Sequence, residues 1–208
     1  SRGLGDVYKR QILPGVRAMG GDWRTASRES TGQAPDPKKT TEPIVQVYAA
    51  RTYGWRGAFS VHTWIATKST AASHYTIYQV VGWRARYGDS VLVVSEDMPD
   101  RQWYGNHPEI IAELRGDGVE GVIERIENCV RLYPYMNTYT MYPGPNSNTF
   151  TAWVARQVPD LKLDLPPTAI GKDYLGAVPV AETPSGTGFQ ISIFGLLGIL
   201  VGVDEGFE

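Results

Sequence analysis

Alternating apolar and polar positions in the first half of the chain predict four consecutive β-strands. The strands are predicted at 44–50, 58–68, 75–83 and 90–95, with turns at Gly54–Gly57 and Gly88–Asp89 between some of them. In the second strand, Ser60, His62, Trp64 and Ala66 share one face, because side chains along a strand alternate between faces. Strands that follow one another so closely predict an antiparallel meander.

Three later segments have the three- to four-residue spacing of helices. The first is predicted from a cap at Asn106, with Pro108 in its first turn, to about Arg115. The second carries apolar residues at helical spacing over 119–133, and the third follows Asn146, Ser147 and Asn148, three candidate capping residues. The predicted fold class is α+β, an antiparallel sheet with helices packed on one side.

The chain is predicted to divide into three parts. Residues 6–11 are the translation of GAT GTG TAT AAG AGA CAG, the end of a transposase-based sequencing adapter, so residues 1–11 are interpreted as a sequencing scar. Residues 12–43 lack periodicity and are predicted to form an extended arm. Residues 44–208 are predicted to form a single α+β domain that ends abruptly. The apolar run 191–203 is too short to span a bilayer and fits strand pairing or a peripheral membrane contact.

Composition narrows the classes of partner. The formal net charge is −2 and Lys and Arg form no stripe, which argues against a nucleic-acid partner. The single cysteine, Cys129, excludes an internal disulfide, and no His, Asp and Glu cluster has metal-ligand spacing, so neither a metal nor another cofactor is expected. Twelve tyrosines and six tryptophans favour a pocket or groove for a small-molecule, lipid or peptide ligand.

Ser147 and His62 are the candidate chemical groups. Ser147 is predicted at a helix start, where free backbone N–H groups and the helix dipole stabilise negative charge. A serine there is also an ordinary helix cap. His62 lies in the middle of a strand, where it is either a general base or a hydrogen-bonded structural residue.

Several segments are similar to a bacterial domain-of-unknown-function family. They include 55–65, 78–84, Pro143–Trp153, 165–175 and 183–190, and the similarity covers nearly all of residues 22–207. Members of that family commonly begin with a hydrophobic segment. The resemblance therefore implies a cell-envelope location, with membrane association through an N-terminal segment that the scar would replace.

The order of motifs also resembles the circularly permuted papain-like (NlpC-like) proteins. In those proteins a strand histidine comes first, and a motif like Asn-Cys-Asn at a helix start follows about a hundred residues later; here His62 precedes Asn146-Ser147-Asn148. The resemblance implies Ser147 in the place of the cysteine nucleophile, His62 as base and Gln79 as the residue that orients His62. A serine hydroxyl is far less acidic than a thiol, so Ser147 would need His62 to remove its proton.

Two functions follow as alternatives. The first is a Ser/His-dependent amide or ester hydrolase or acyltransferase of the cell envelope, with substrate held by Asn146 and Asn148 and by groove walls at Trp64 and Trp83. The second is a non-catalytic binding or structural module on the same scaffold. The first requires the His62 strand to lie against the start of the Asn148 helix, with the imidazole within reach of the Ser147 hydroxyl.

Overall fold

An antiparallel five-stranded sheet forms the centre of the computed structural model, which describes residues 22–176, 180–193, 197–203 and 206–207. The predicted scar and the first residues of the predicted arm lie outside those ranges. In chain order, the strands are β1 Ile44–Arg51, β2 Val61–Lys68, β3 Tyr75–Val80, β4 Leu92–Asp97 and β5 Glu109–Arg115. Their order in the sheet is β4-β3-β2-β1-β5, and each neighbouring pair is antiparallel.

Two helices pack on one face of this sheet. They are α1, Val119–Leu132, and α2, Ser147–Gln157. Val47 and Ile65 of the sheet share a buried cluster with Ile126 of α1 and with Phe150 and Val154 of α2. The protein is therefore α+β, and both helices cover the same side of the sheet.

The opposite face of the sheet is covered by chain without helices. Tyr48, Trp64 and Ile77 belong to a second buried cluster, against which Met98 and Trp103 pack from the segment between β4 and β5. Because β1 is in the middle of both clusters, seven of its eight residues are buried. The two faces of the sheet thus belong to different cores, which decides where each strand side chain points.

The predicted helix over 106–115 is wrong, because this segment forms strand β5. It is antiparallel to β1, and the pairing extends from Ile44 opposite Arg115 to Ala49 opposite Glu109, with an irregularity in register between Val47 and Tyr48. Strand β1 is buried, so its N–H and C=O groups on this side require partners, and β5 supplies them. Tertiary pairing has overridden a local capping signal.

The predicted third strand also ends earlier than expected. Strand β3 stops at Val80, and Gly82–Tyr87 form a 3₁₀ helix. A Cβ atom on Gly82 would lie 2.4 Å from the Tyr139 ring, so only glycine fits this approach. The break carries Trp83 out of the sheet.

A second, four-stranded antiparallel sheet follows the helices. It consists of β6 Val180–Glu182, β7 Gly188–Ile193, β8 Leu197–Gly202 and β9 Gly206–Phe207, in that order. Arg156 of α2 connects it to the rest of the protein, because its guanidinium donates to the Glu182 carbonyl and to the Gln190 side chain. Strand pairing therefore accounts for the apolar run 191–203 as far as it is described. None of the helices in the described ranges is long and apolar enough to cross a bilayer.

Candidate functional site

The cap of α2 is Asn146, and Ser147 is the first helical residue. The Asn146 side-chain oxygen accepts hydrogen bonds from the N–H groups of Asn148 and Thr149, at 2.9 and 3.1 Å. In return, the Thr149 hydroxyl accepts from the Asn146 N–H, which completes a capping box. The Asn148 N–H, one of the backbone N–H groups at the helix start that were expected to be free, is therefore already bonded within the protein.

The side chain of Asn148 ties α2 to the sheet. Its amide nitrogen donates to the carbonyls of Val61 and Ile170, at 3.1 and 2.8 Å, and its oxygen accepts from the Thr63 hydroxyl at 3.0 Å. Asn146 also donates to the Ile170 carbonyl, at 2.9 Å. Both amides are buried and committed to these bonds, so they fix the start of α2 rather than present donors to a substrate.

His62 and Ser147 lie on opposite faces of the sheet. The Thr63 hydroxyl points at α2, where its oxygen lies 2.9 Å from the Thr151 hydroxyl oxygen and 3.5 Å from the Ser147 carbonyl oxygen. Successive strand residues point to opposite faces, so His62 points away from α2. The predicted His62–Ser147 contact is wrong, since no rotation of either side chain carries it through the sheet.

His62 instead belongs to a stack of aromatic rings on the other face. Its ring lies parallel to Trp103, with 3.7 Å between ring centroids, and 5.6 Å from Trp64. Its Nε2 lies 3.3 Å from the Gln79 side-chain oxygen. Burial lowers the pKa of His62 to about 4, and the Gln79 hydrogen bond opposes that shift only in part. His62 is therefore neutral at pH 7, and its contact with the Gln79 oxygen suits the tautomer that carries the proton on Nε2.

The structure thus brings together some of the predicted site residues and separates others. His62, Gln79 and Trp64 share one face of adjacent strands, as their sequence positions predicted. Trp64 is buried, and its indole N–H donates to the Pro99 carbonyl at 2.8 Å. Trp83 is 52% exposed and packs edge-to-face on Tyr87, so the prediction that it forms a groove wall on a strand face shared with Gln79 is wrong.

A pocket of about 180 Å³ opens beside this stack. The sheet contributes Trp64, Gln79 and Asp97 to its lining, and the chain around it contributes Arg28, Arg101 and Trp103. Arg101 is bonded to Asp97, with 2.7 Å between Nε and the carboxylate. The pocket therefore combines indole surface with guanidinium and amide donors.

A tight turn at residues 103–106 forms one wall of the pocket. Trp103 and Asn106 exchange two backbone hydrogen bonds, at 2.9 and 3.1 Å, and Tyr104 and Gly105 both have positive φ, 50° and 85°. These are the features of a type I′ turn. A left-handed tyrosine costs about 1–2 kcal/mol, and the Arg28 guanidinium, 4.6 Å above its ring, helps to hold it there.

Sequence reasoning missed this wall of the pocket. Asn106 before Pro108 fits a helix cap, and Tyr-Gly between Trp103 and Asn106 is also compatible with a hairpin turn. A tyrosine at the first central position is an uncommon choice for such a turn, which weakened the signal. Trp103, Tyr104 and Arg101 therefore enter as site residues only from the structure.

Asp100 holds the N-terminal arm by hydrogen bonds on the face of the sheet that carries His62. It is fully buried, and its carboxylate accepts from the Ser30 hydroxyl at 2.6 Å and from the N–H groups of Gln33 and Ala34, at 2.7 and 3.2 Å. Burial raises the pKa of Asp100, but these hydrogen bonds outweigh it and the pKa lies below its ordinary value. Asp100 therefore stays ionised and holds the arm beside the pocket.

Comparison with known proteins identifies the family. The model of a family described as "Protein of unknown function (DUF3750)" matches residues 42–174, more than half of the chain. The chain belongs to the DUF3750 family. The match includes the five-stranded sheet, both helices and most of the pocket, whereas β6–β9 lie beyond it. No curated protein and no solved structure matches the chain.

Across the described ranges, no three His, Cys, Asp or Glu side chains converge as metal ligands would.

Proposed function

We propose that this chain is a non-catalytic binding module whose ligand site is the pocket beside His62. The observation that carries the proposal is the separation of His62 and Ser147 by the sheet, since Thr63 rather than His62 points at α2. Without His62, the Ser147 hydroxyl has no base from the predicted constellation. The pocket lies on the face that α2 does not cover.

The lining of the pocket favours a small polar ligand with a ring or apolar portion. Trp103 offers indole surface, and Arg28, Arg101 and the Gln79 amide offer hydrogen-bond donors. Arg28 forms no ion pair within the described part of the chain, so an acidic or strongly accepting group on the ligand would balance its charge. A volume of about 180 Å³ lies below the range of pockets for drug-sized ligands, which restricts the ligand to the size of a single sugar, an amino acid or the end of a peptide.

The hydrolase is the second candidate, and one observation favours it. Ser147 is at the first position of α2, and its hydroxyl makes no hydrogen bond to any described residue. Against it, Asn146 occupies the nearby N–H groups and His62 faces away. The permuted papain-like layout requires the histidine and the nucleophile on one face, and here they lie on opposite faces, so that comparison gives the hydrolase no support.

A labelling experiment separates the two functions. Serine-reactive fluorophosphonates are the probe. We expect them to label the wild type no more than Ser147→Ala. Labelling of the wild type that disappears in Ser147→Ala would overturn the binding proposal.

A binding experiment tests the pocket directly. Tryptophan fluorescence is followed during titration with hexoses, hexuronic acids, amino acids and dipeptides. Saturable binding by a member of the panel is expected to weaken at least tenfold in Arg28→Ala and Gln79→Ala. It should persist in Trp83→Phe, the matched control away from the pocket. Equal loss in all three variants, or no binding by any member, would contradict the assignment of the ligand site.

The envelope location remains a prediction from the family resemblance, to be checked by cell fractionation.

A further inference from the structure

The second sheet has its polar side chains inside and its apolar side chains outside. Gln190 and Ser192 of β7 are buried, at 0% and 3% exposure, whereas Phe189 and Ile191 of the same strand are 69% and 52% exposed. A sheet with one face on a core and one in water shows the reverse alternation. Arg156 provides part of the hydrogen bonding that these buried polar residues require, because it donates to the Gln190 side chain.

The exposed apolar residues form two rows across the strands. Val180, Ile191 and Ile199 are cross-strand neighbours in one row, and Phe189 is paired with Val201 in the next. We call the surface formed by these five side chains the outer face. Each of them is at least 42% exposed. Val203, which is 86% exposed and lies two residues beyond Val201 in the chain, belongs to the outer face as a sixth side chain.

We propose that the outer face is an interface with a second copy of this chain. The six side chains expose roughly 600 Å² of mainly apolar surface, the upper end of the largest patch on a typical monomer. Two such faces packed together would bury up to about 1,200 Å² from these side chains, and about 1,200 Å² is the lower limit of a stable protein interface. A surface that packs against itself about a twofold axis also gives a closed dimer with no leftover patch.

The position of Glu182 favours a second copy over a bilayer. Glu182 is exposed and is paired with Phe189, so its carboxylate continues the second row at the edge strand β6. Immersing that row in lipid would bury an unpaired charge, which is costly. In a face-to-face dimer, Glu182 would instead lie at the rim, where charged residues are ordinary.

The dimer is tested by sedimentation velocity over 1–200 µM with the chain of residues 1–208. We expect a concentration-dependent dimer of the wild type. The double variant Ile191→Thr/Val201→Thr keeps β-branched residues in the sheet and should raise the dimer Kd at least tenfold. Val94→Thr is the matched control, because Val94 is a 54% exposed strand valine of the other sheet, and it should leave the Kd unchanged.

A second variant covers the case in which the double variant fails to fold. Val203→Glu lies just past the end of β8 and places a charge on the outer face without altering a strand; it too should weaken the dimer. A monomeric wild type at 200 µM, or a dimer that both variants leave intact, would overturn the proposal. So would a monomer that co-sediments with phosphatidylcholine vesicles and loses that binding in the variants, since a bilayer would then be the occupant.

Discussion

The Thr63 hydroxyl donates to the Asn148 side chain across 3.0 Å, between residues 85 positions apart, and this contact fixes which face of β2 meets α2. Thr63 takes the place at the helix that the sequence had suggested for His62. The buried interface between β2 and α2 is consequently held by side-chain hydrogen bonds. The contribution of each residue to the free energy of unfolding can be measured by substitution.

Replacing Asn148 with alanine should cost about 2–4 kcal/mol of unfolding free energy, because it removes the hydrogen bonds that its side chain makes to the Val61 and Ile170 carbonyls and to the Thr63 hydroxyl. Ser147→Ala should change it by less than about 0.5 kcal/mol, since Asn146 and not Ser147 is the cap. Urea unfolding measures both. Asn128→Ala on the exposed side of α1 is the control, and a larger loss in Ser147→Ala than in Asn148→Ala would contradict the assignment.

His62 should make the protein less stable as the pH falls. Its pKa is about 4 in the folded state against 6.5 when unfolded, so the unfolded chain takes up the proton first. The stabilisation is complete above pH 6.5 and is lost between about 6.5 and 4, to a total of about 3 kcal/mol. Urea midpoints between pH 7.5 and 4.5 should fall more steeply for the wild type than for His62→Phe. Trp83→Phe, at an exposed aromatic residue that does not titrate, should keep the slope of the wild type.

Asp100→Asn should release the N-terminal arm. The amide cannot reproduce all the hydrogen bonds that the carboxylate accepts from Ser30, Gln33 and Ala34, and the site is fully buried. We expect a loss of about 2–4 kcal/mol and faster tryptic cleavage after Arg24 and Arg28. Asp89→Asn, at an exposed carboxylate, should change neither. An arm equally resistant to trypsin in both variants would show that Asp100 does not hold it.

Two glycine substitutions should have opposite effects. Gly82→Ala forces a methyl group into the Tyr139 ring, 2.4 Å away, and should destabilise the protein by about 1–3 kcal/mol. Gly121→Ala in α1 meets no atom closer than Arg125, at 3.8 Å, and should stabilise it by up to about 1 kcal/mol. Thermal unfolding of the pair measures both. A stabilising Gly82→Ala would mean that Tyr139 does not pack there.

Features set by local spacing were predictable from the sequence. Helix α1 and helix α2 follow from their apolar periodicity, and the pairing of His62 with Gln79 follows from alternation on adjacent strands. Alternation does not say which face of a strand a helix covers, and that single choice decides whether His62 or Thr63 meets α2. Strand β5 was missed for a similar reason, since its conformation depends on the open edge of β1, far away in sequence.

The Ile170 carbonyl accepts hydrogen bonds from both Asn146 and Asn148, and the nearby Thr168 carbonyl accepts from the Val61 N–H. These shared hydrogen bonds couple three segments, namely the first turn of α2, the beginning of β2 and the 168–171 turn. Opening any one of them breaks bonds to another. In native-state hydrogen exchange their amide protons should exchange together, as one cooperative unit, although the 168–171 turn belongs to no helix or strand.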